Sequence, residues 1–335
     1  MPCIRFHSSW RAGGDRSSFE AHRRTAAMLI STDYKDTGII VTVSPPFKSH
    51  SFALPIVLLV VAMASFQLGA VVAKQLFSAV GVVGATALRL GLSSVILLAV
   101  WRPWRVRLNR SEAGSIGIYG LAMGFMNLFF YSSLDRIPLG IAVALEFTGP
   151  LAVAMAASRR LVDFVWIALA ALGLIAILPV GTGSQRLDPA GIGFALAAGV
   201  CWAIYIVYGQ KAGNAHGGQT TALGTVVGAL VIVPIGIGHA GTALFSPALL
   251  PAAVAVALLS TALPYSLEMY ALTRLPTRTF GVLMSGDPAL GALSGLIFLS
   301  ERLTIVQWAA IASIMAASAG SALTSRSGPQ PVLPD

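Results

Sequence analysis

The chain has 335 residues, of which 56% are hydrophobic and only 10% charged, with a mean hydropathy of +0.79. Soluble domains carry about 25% charged residues, so this composition excludes an ordinary soluble protein and points to the bilayer. The net charge of +9 does not mark a nucleic-acid binder, because the 22 Lys and Arg punctuate apolar runs and form no basic stripe with interleaved aromatics.

Residues 1–50 are polar and basic and lack the uninterrupted apolar core of a signal peptide. They read as a disordered cytoplasmic tail, or as the product of a start codon placed too early, with Met28 as an alternative. Ten apolar runs follow, each near the 20 or so residues a membrane helix needs. The first, 53–73, carries Gln67, and the second, 82–101, carries Arg89. The third, 113–134, holds Asn127, Tyr131 and the small-residue pair Gly120/Gly124. The fourth, 138–157, contains Glu146 and Pro150; the fifth, 162–181, has no ionisable group beyond Asp163 at its start. The sixth, 189–208, carries Cys201, Trp202 and Tyr205, and the seventh, 220–238, the pair Gly224/Gly228. Pro264 and Glu268 lie in the eighth, 249–270; Asp287, Pro288, Gly291 and Gly295 in the ninth, 277–298. The tenth is 304–323, and 324–335 reads as a cytoplasmic tail.

The runs are written twice. Ile137-Pro138, Gly149-Pro150 and Arg136 recur 138 residues later as Leu275-Pro276, Asp287-Pro288 and Arg274. The expected architecture is all-α and integral to the membrane, with 53–181 as a first five-helix repeat and 189–323 as a second. Five is odd, so the second copy enters the membrane from the opposite side, the inverted-repeat plan of many secondary transporters. Lys and Arg set the orientation. With the N-terminus inside, seventeen fall on the cytoplasmic side and four outside, with Arg89 within a helix. Both termini are therefore expected in the cytoplasm.

Ionisable residues inside membrane helices are costly and mark functional sites by default. At Glu146 the cost has a second feature. Pro150 has no N–H, so the carbonyl four residues earlier, that of Glu146 itself, loses its helical partner. A carboxylate and a freed carbonyl together suit a cation, an ammonium group or a proton; the plainer reading is a buried pair with Arg89. Arg89 could hold a substrate carboxylate, form that pair, or snorkel to the outer interface. Asp287 is either a pathway residue or a partner for backbone freed by Pro288, and Glu268 an interfacial or gating residue. Gln67, Asn127, Tyr131, Trp202 and Tyr205 could line a pathway or simply pack. Pro150, Pro288 and Pro264 are the expected kinks.

Nothing suggests an enzyme or a cofactor: there is no Walker A loop, dinucleotide glycine fingerprint or Gly-x-Ser-x-Gly elbow. Neither the two cysteines nor the five scattered histidines have metal-ligand spacing.

Several segments carry a family resemblance: Leu-Pro-Ile-Val at 54–57, Val-Ala-Met-Ala-Ser at 61–65 and Pro-Leu-Gly-Ile-Ala-Val-Ala-Leu-Glu-Phe-Thr-Gly-Pro-Leu-Ala-Val at 138–153. Cys-Trp-Ala-Ile-Tyr-Ile at 201–206, Leu-Ser-Thr-Ala-Leu-Pro-Tyr-Ser-Leu-Glu-Met at 259–269 and the stretch 271–281 add to it. Over about 53–324 the chain resembles the drug/metabolite transporter superfamily, in particular its ten-helix members with two EamA-type repeats, and among these the bacterial threonine/homoserine exporters. The resemblance implies an inner-membrane exporter of small neutral amino acids run by proton exchange, and the inverted repeat is read as working by alternating access. Substrate, protons and the bilayer are then the partners, nucleic acid is not, and a homodimer is compatible. The ammonium of a bound amino acid would meet Glu146, and its carboxylate Arg89 or helix-end amides. Efflux of drugs or other metabolites, and passive facilitation, are the rival readings.

Overall fold

The computed structural model describes residues 53–105, 108–156, 161–177, 187–272, 274–275 and 277–324. The expected tails at 1–50 and, from 325, at the C-terminus lie outside these residues, as do Arg107, Arg159, Arg160 and Arg186.

Every described part of the ten apolar runs that lies on regular backbone is helical, and no strand occurs among the described residues. The helical stretch Ala53–Trp101 is interrupted at Gly81, whose φ of 69° and ψ of 174° only glycine adopts without strain. It therefore provides two helices, α1 (53–80) and α2 (82–101). Helix α3 (Arg110–Leu134) starts at a capping box in which Asn109 Oδ1 accepts from the Glu112 N–H and Glu112 Oε2 accepts from the Asn109 N–H. The fourth run is two helices, α4 (Leu139–Glu146) and α5 (Thr148–Ala156), and the fifth is α6 (Leu161–Ile177). Helices α7 (Pro189–His216) and α8 (Gly218–Ala240) follow. The eighth run comprises α9 (Leu250–Ala257), a π turn at Leu258–Ala262 and α10 (Leu263–Leu272). The ninth is again split, into α11 (Thr277–Met284) and α12 (Asp287–Phe298), and α13 (Ile305–Thr324) ends the series.

Among the described residues, seven helical segments are long and apolar enough to cross a bilayer, the 49-residue Ala53–Trp101 counting as one; Leu139–Val153 and Phe164–Ala176 are apolar but shorter. The burial pattern is that of a membrane protein. Large apolar side chains face outward, with Leu230 70% and Ile305 88% exposed, while Gln67 and Arg89 are 0% exposed. An outward surface of this kind is at home in lipid, and polar groups are kept for the interior.

Close packing follows the small residues. Gly120 and Gly124 of α3 lie against Gly224 and Gly228 of α8, so two of the Gly-x-x-x-Gly pairs pack on each other. Gly291 of α12 approaches Val143 and Gln67. The internal duplication is visible in the helices themselves: α4 and α11 each have 8 residues, and 139–146 maps onto 277–284 at the 138-residue offset.

Candidate functional site: a buried polar cluster at three helix breaks

Proline decides where the fourth run breaks. With no N–H at Pro150, α4 stops at Glu146, the Phe147 N–H donates to Val143 O at 2.9 Å, and the Thr148 hydroxyl donates to Leu145 O at 2.6 Å. The freed Glu146 carbonyl does not stand open. It faces Gly199 of α7, where an added Cβ would come within 2.8 Å of it. What remains for a ligand is the side chain, 5% exposed and close enough to Arg89 and Asp287 to feel both charges. Phe147 and Trp202 meet edge to face over the break, with centroids 5.4 Å apart.

Arg89 is buried in α2 at 0% exposure, which removes snorkelling as its role. The pair with Glu146 is not made either: the ion pairs among the described residues are Lys74–Glu301 and Arg136–Asp188. Its anchors are neutral. Nε donates to Thr261 Oγ1 at 3.0 Å and Nη2 to Ser260 O at 2.7 Å. Ser260 lies four residues before Pro264, so its carbonyl is the one that Pro264 leaves without an α-helical donor. The guanidinium carbon is 5.1 Å from the ring centroids of both Phe66 and Tyr131. Nη1 has no hydrogen-bond partner, and neither do the hydroxyls of Tyr131, Ser260 and Tyr265, all buried.

Asp287 opens α12 and accepts from Gln67 Nε2 at 2.9 Å, joining the ninth run to the first. It thus bonds a side chain across the bundle, whereas sequence alone allowed freed backbone as the partner. Gln67 Oε1 is also unpartnered. Glu268 of α10 is half-buried and close enough to Asp287 to feel its charge. Tyr205 stacks on Tyr119 at 4.6 Å. Asn127 spends its amide on Met123 O, 2.8 Å away in its own helix. The structure therefore brings Arg89, Tyr131, Gln67, Asp287, Glu146 and Glu268 into one interior region, with Trp202 and Tyr205 on the wall that α7 supplies. Sequence reading missed Phe66, Tyr119, Ser260, Thr261 and Tyr265. Ser260 carried a signal, its position four residues before a proline. Among the described residues no group of three or more His, Cys, Asp or Glu could hold a metal ion.

A second set of charges lies at one end of the helices. Lys74 Nζ donates to Glu301 Oε1 at 2.8 Å, and Glu301 Oε2 accepts from the Leu139 N–H, at the start of α4, at 2.7 Å. Nearby, Arg136 Nη1 donates to Asp188 Oδ2 at 3.0 Å, a bond that holds the Asp188 carboxyl below its ordinary pKa.

The chain is similar to known transporters over most of its length. The model of the EamA-like transporter family matches residues 189–323. The threonine/homoserine exporter RhtA of Escherichia coli (strain K12) is 58% identical over 273 residues, 82% of this chain and 92% of its own. RhtA of Salmonella typhimurium (strain LT2) is 56% identical over 277 residues, 83% of this chain and 94% of its own. A solved crystal structure of 17% identity shares the fold at a TM-score of 0.56, covering 81% of this chain and 97% of that one. With its apolar helices, its duplicated helix pattern and relatives that match over most of their length, the chain belongs to the EamA-like transporter family and is a multi-pass membrane protein of the drug/metabolite transporter type.

Proposed function

We propose that this protein exports small neutral amino acids of the threonine/homoserine type, as a secondary transporter working by alternating access in exchange for protons. The observation that carries the reading is the 56–58% identity to exporters of that name over 92–94% of their length. The interior region supports it, because a zwitterion needs opposite charges a short distance apart. Arg89 supplies the positive charge and Glu146 and Asp287 the negative, all three buried and none ion-paired with another. The two five-helix repeats, 53–181 and 189–323, would rock about this region. Both termini lie in the cytoplasm, and the membrane is the bacterial inner membrane.

In this scheme Glu146 meets the ammonium while ionised, and a proton arriving from outside neutralises it and releases the substrate. Glu146→Gln is the corresponding test. The variant is expected to reach the membrane yet lose pH-dependent export, with release lowered roughly 10- to 100-fold, the worth of a buried charge-assisted contact. The assay loads cells with threonine- or homoserine-containing dipeptides and follows extracellular amino acid with and without an uncoupler. Uncoupler-sensitive release by the unaltered chain supports the reading. Release that ignores the uncoupler fits a passive facilitator, and no release, with the protein confirmed in the membrane, moves the substrate to drugs or other metabolites.

A further inference from the structure

We propose that Arg89, Tyr131, Ser260 and Tyr265 form the subsite that takes the α-carboxylate of the transported molecule, an assignment that rests on the transport reading above. Arg89 carries a full positive charge at 0% exposure, and both of its bonded partners, Ser260 O and Thr261 Oγ1, are neutral. A buried charge without a counter-ion is retained only where something compensates it. The acidic groups of the region do not. Glu146 forms no ion pair with Arg89, and Asp287 is engaged by Gln67.

The guanidinium is held as a fixed plane. Phe66 and Tyr131 each lie 5.1 Å from its central carbon, and two of its nitrogens are tied to the π turn. Nη1 is left over. Three further buried hydroxyls are unpartnered and able to donate: that of Tyr131, whose ring lies 5.1 Å from the guanidinium carbon, that of Ser260, whose carbonyl Nη2 holds, and that of Tyr265. One planar cation with hydroxyl donors beside it suits a singly charged, planar anion, and a carboxylate has that shape and charge. A phosphate dianion would call for a second cation, and none accompanies Arg89 among the buried residues described.

Two residues position this subsite without touching a ligand. Pro264 withholds the N–H that would otherwise occupy Ser260 O, leaving that carbonyl for Nη2. Gly69 of α1 lets the π turn approach: a Cβ there would overlap Ser260 Oγ and come within 2.8 Å of Ser260 N.

The test uses the full chain reconstituted in liposomes, with uptake of labelled L-threonine competed by unlabelled L-threonine and by L-threoninamide, which lacks only the carboxylate charge. For the unaltered protein the amide is expected to compete about 10- to 100-fold more weakly, the worth of a charge-assisted hydrogen-bond set. Arg89→Gln should bring the two competitors to near equality, chiefly by weakening threonine. Tyr131→Phe and Ser260→Ala each delete one hydroxyl and should each narrow the ratio several-fold, which keeps the subsite testable if Arg89→Gln does not fold. Threonine and its amide competing equally in the unaltered protein would overturn the subsite and leave amino-acid transport standing. So would an undiminished ratio in Arg89→Gln or, failing that variant, in both hydroxyl variants. No competition by threonine at all would overturn the transport reading and the subsite with it.

Discussion

A charged side chain at the middle of a membrane helix costs about 2.5–3.5 kcal/mol on insertion scales, so Arg89 has to recover that much from its surroundings. Part of it comes from a carbonyl, a hydroxyl and two aromatic faces, none of them a counter-charge. The carbonyl depends on Pro264. Pro264→Ala would add an N–H where Ser260 O could accept it, returning the carbonyl to its own helix. Helix propensity alone favours the alanine by about 3 kcal/mol, so the variant should melt no lower than the parent in detergent. Its threonine affinity should nevertheless fall roughly tenfold, the worth of one hydrogen bond to a charged group. An unchanged affinity would show that the bond to Ser260 O does not position Arg89. The i−4 rule for proline was open to sequence reading at both Pro150 and Pro264. At Pro150 it led to the Glu146 carbonyl, which the structure turns against Gly199; at Pro264 it would have led to Ser260, which is used. Which freed carbonyl meets a donor depends on which helix packs beside it, and one chain's sequence does not carry that.

Among the elements, the broken helices do the positioning. Helices α4 and α11 end eight residues after they begin, at equivalent places, because the Pro138 and Pro276 starts and the Pro150 and Pro288 breaks recur at one offset. That much was legible from the repeat. The π turn at Leu258–Ala262 was not, since its proline has no counterpart in the first copy, where Met126 occupies the matching place in an unbroken α3. The contact between the α4–α5 break and α7 admits no side chain: a methyl at Gly149 would overlap the Gly199 carbonyl, whereas Gly193 on the same α7 has nothing within 4 Å of its added Cβ. Gly149→Ala should therefore cost about 1–3 kcal/mol, the usual penalty for overpacking, while Gly193→Ala should leave the melting temperature unchanged or slightly raised. Equal melting of the two variants would mean that the α5–α7 contact relaxes freely.

For the molecule as a whole, the ion pairs join residues of the first half of the chain to residues of the second at one end. Lys74 and Leu139 share Glu301, and Arg136 holds Asp188. Sequence reading used Lys74 and Arg136 only as markers of topology and of the repeat; their acidic partners come from far along the chain and become neighbours only through packing. Alternating access requires such a junction to part. Glu301→Gln removes the charge that Lys74 faces and weakens the acceptor at the start of α4. Hydrogen exchange of the amides at 139–142 should then quicken, about tenfold for a loss of some 1.4 kcal/mol. Unchanged exchange there would exclude Glu301 as the fastening of that end. The Asp188 side chain is 37% exposed and Arg136 holds its carboxyl low, so that pair is lost at a lower pH than that at which an ordinary aspartate takes up its proton.

The most direct test of the central claim, that this chain exchanges amino acids for protons, is uptake of labelled L-threonine into liposomes carrying the purified protein and an acidic lumen. Proton exchange should drive threonine inside to a concentration above that outside, with the accumulation abolished by a protonophore and absent from Glu146→Gln vesicles. Threonine that merely equilibrates, at the same rate with and without the pH gradient, would contradict proton-coupled export.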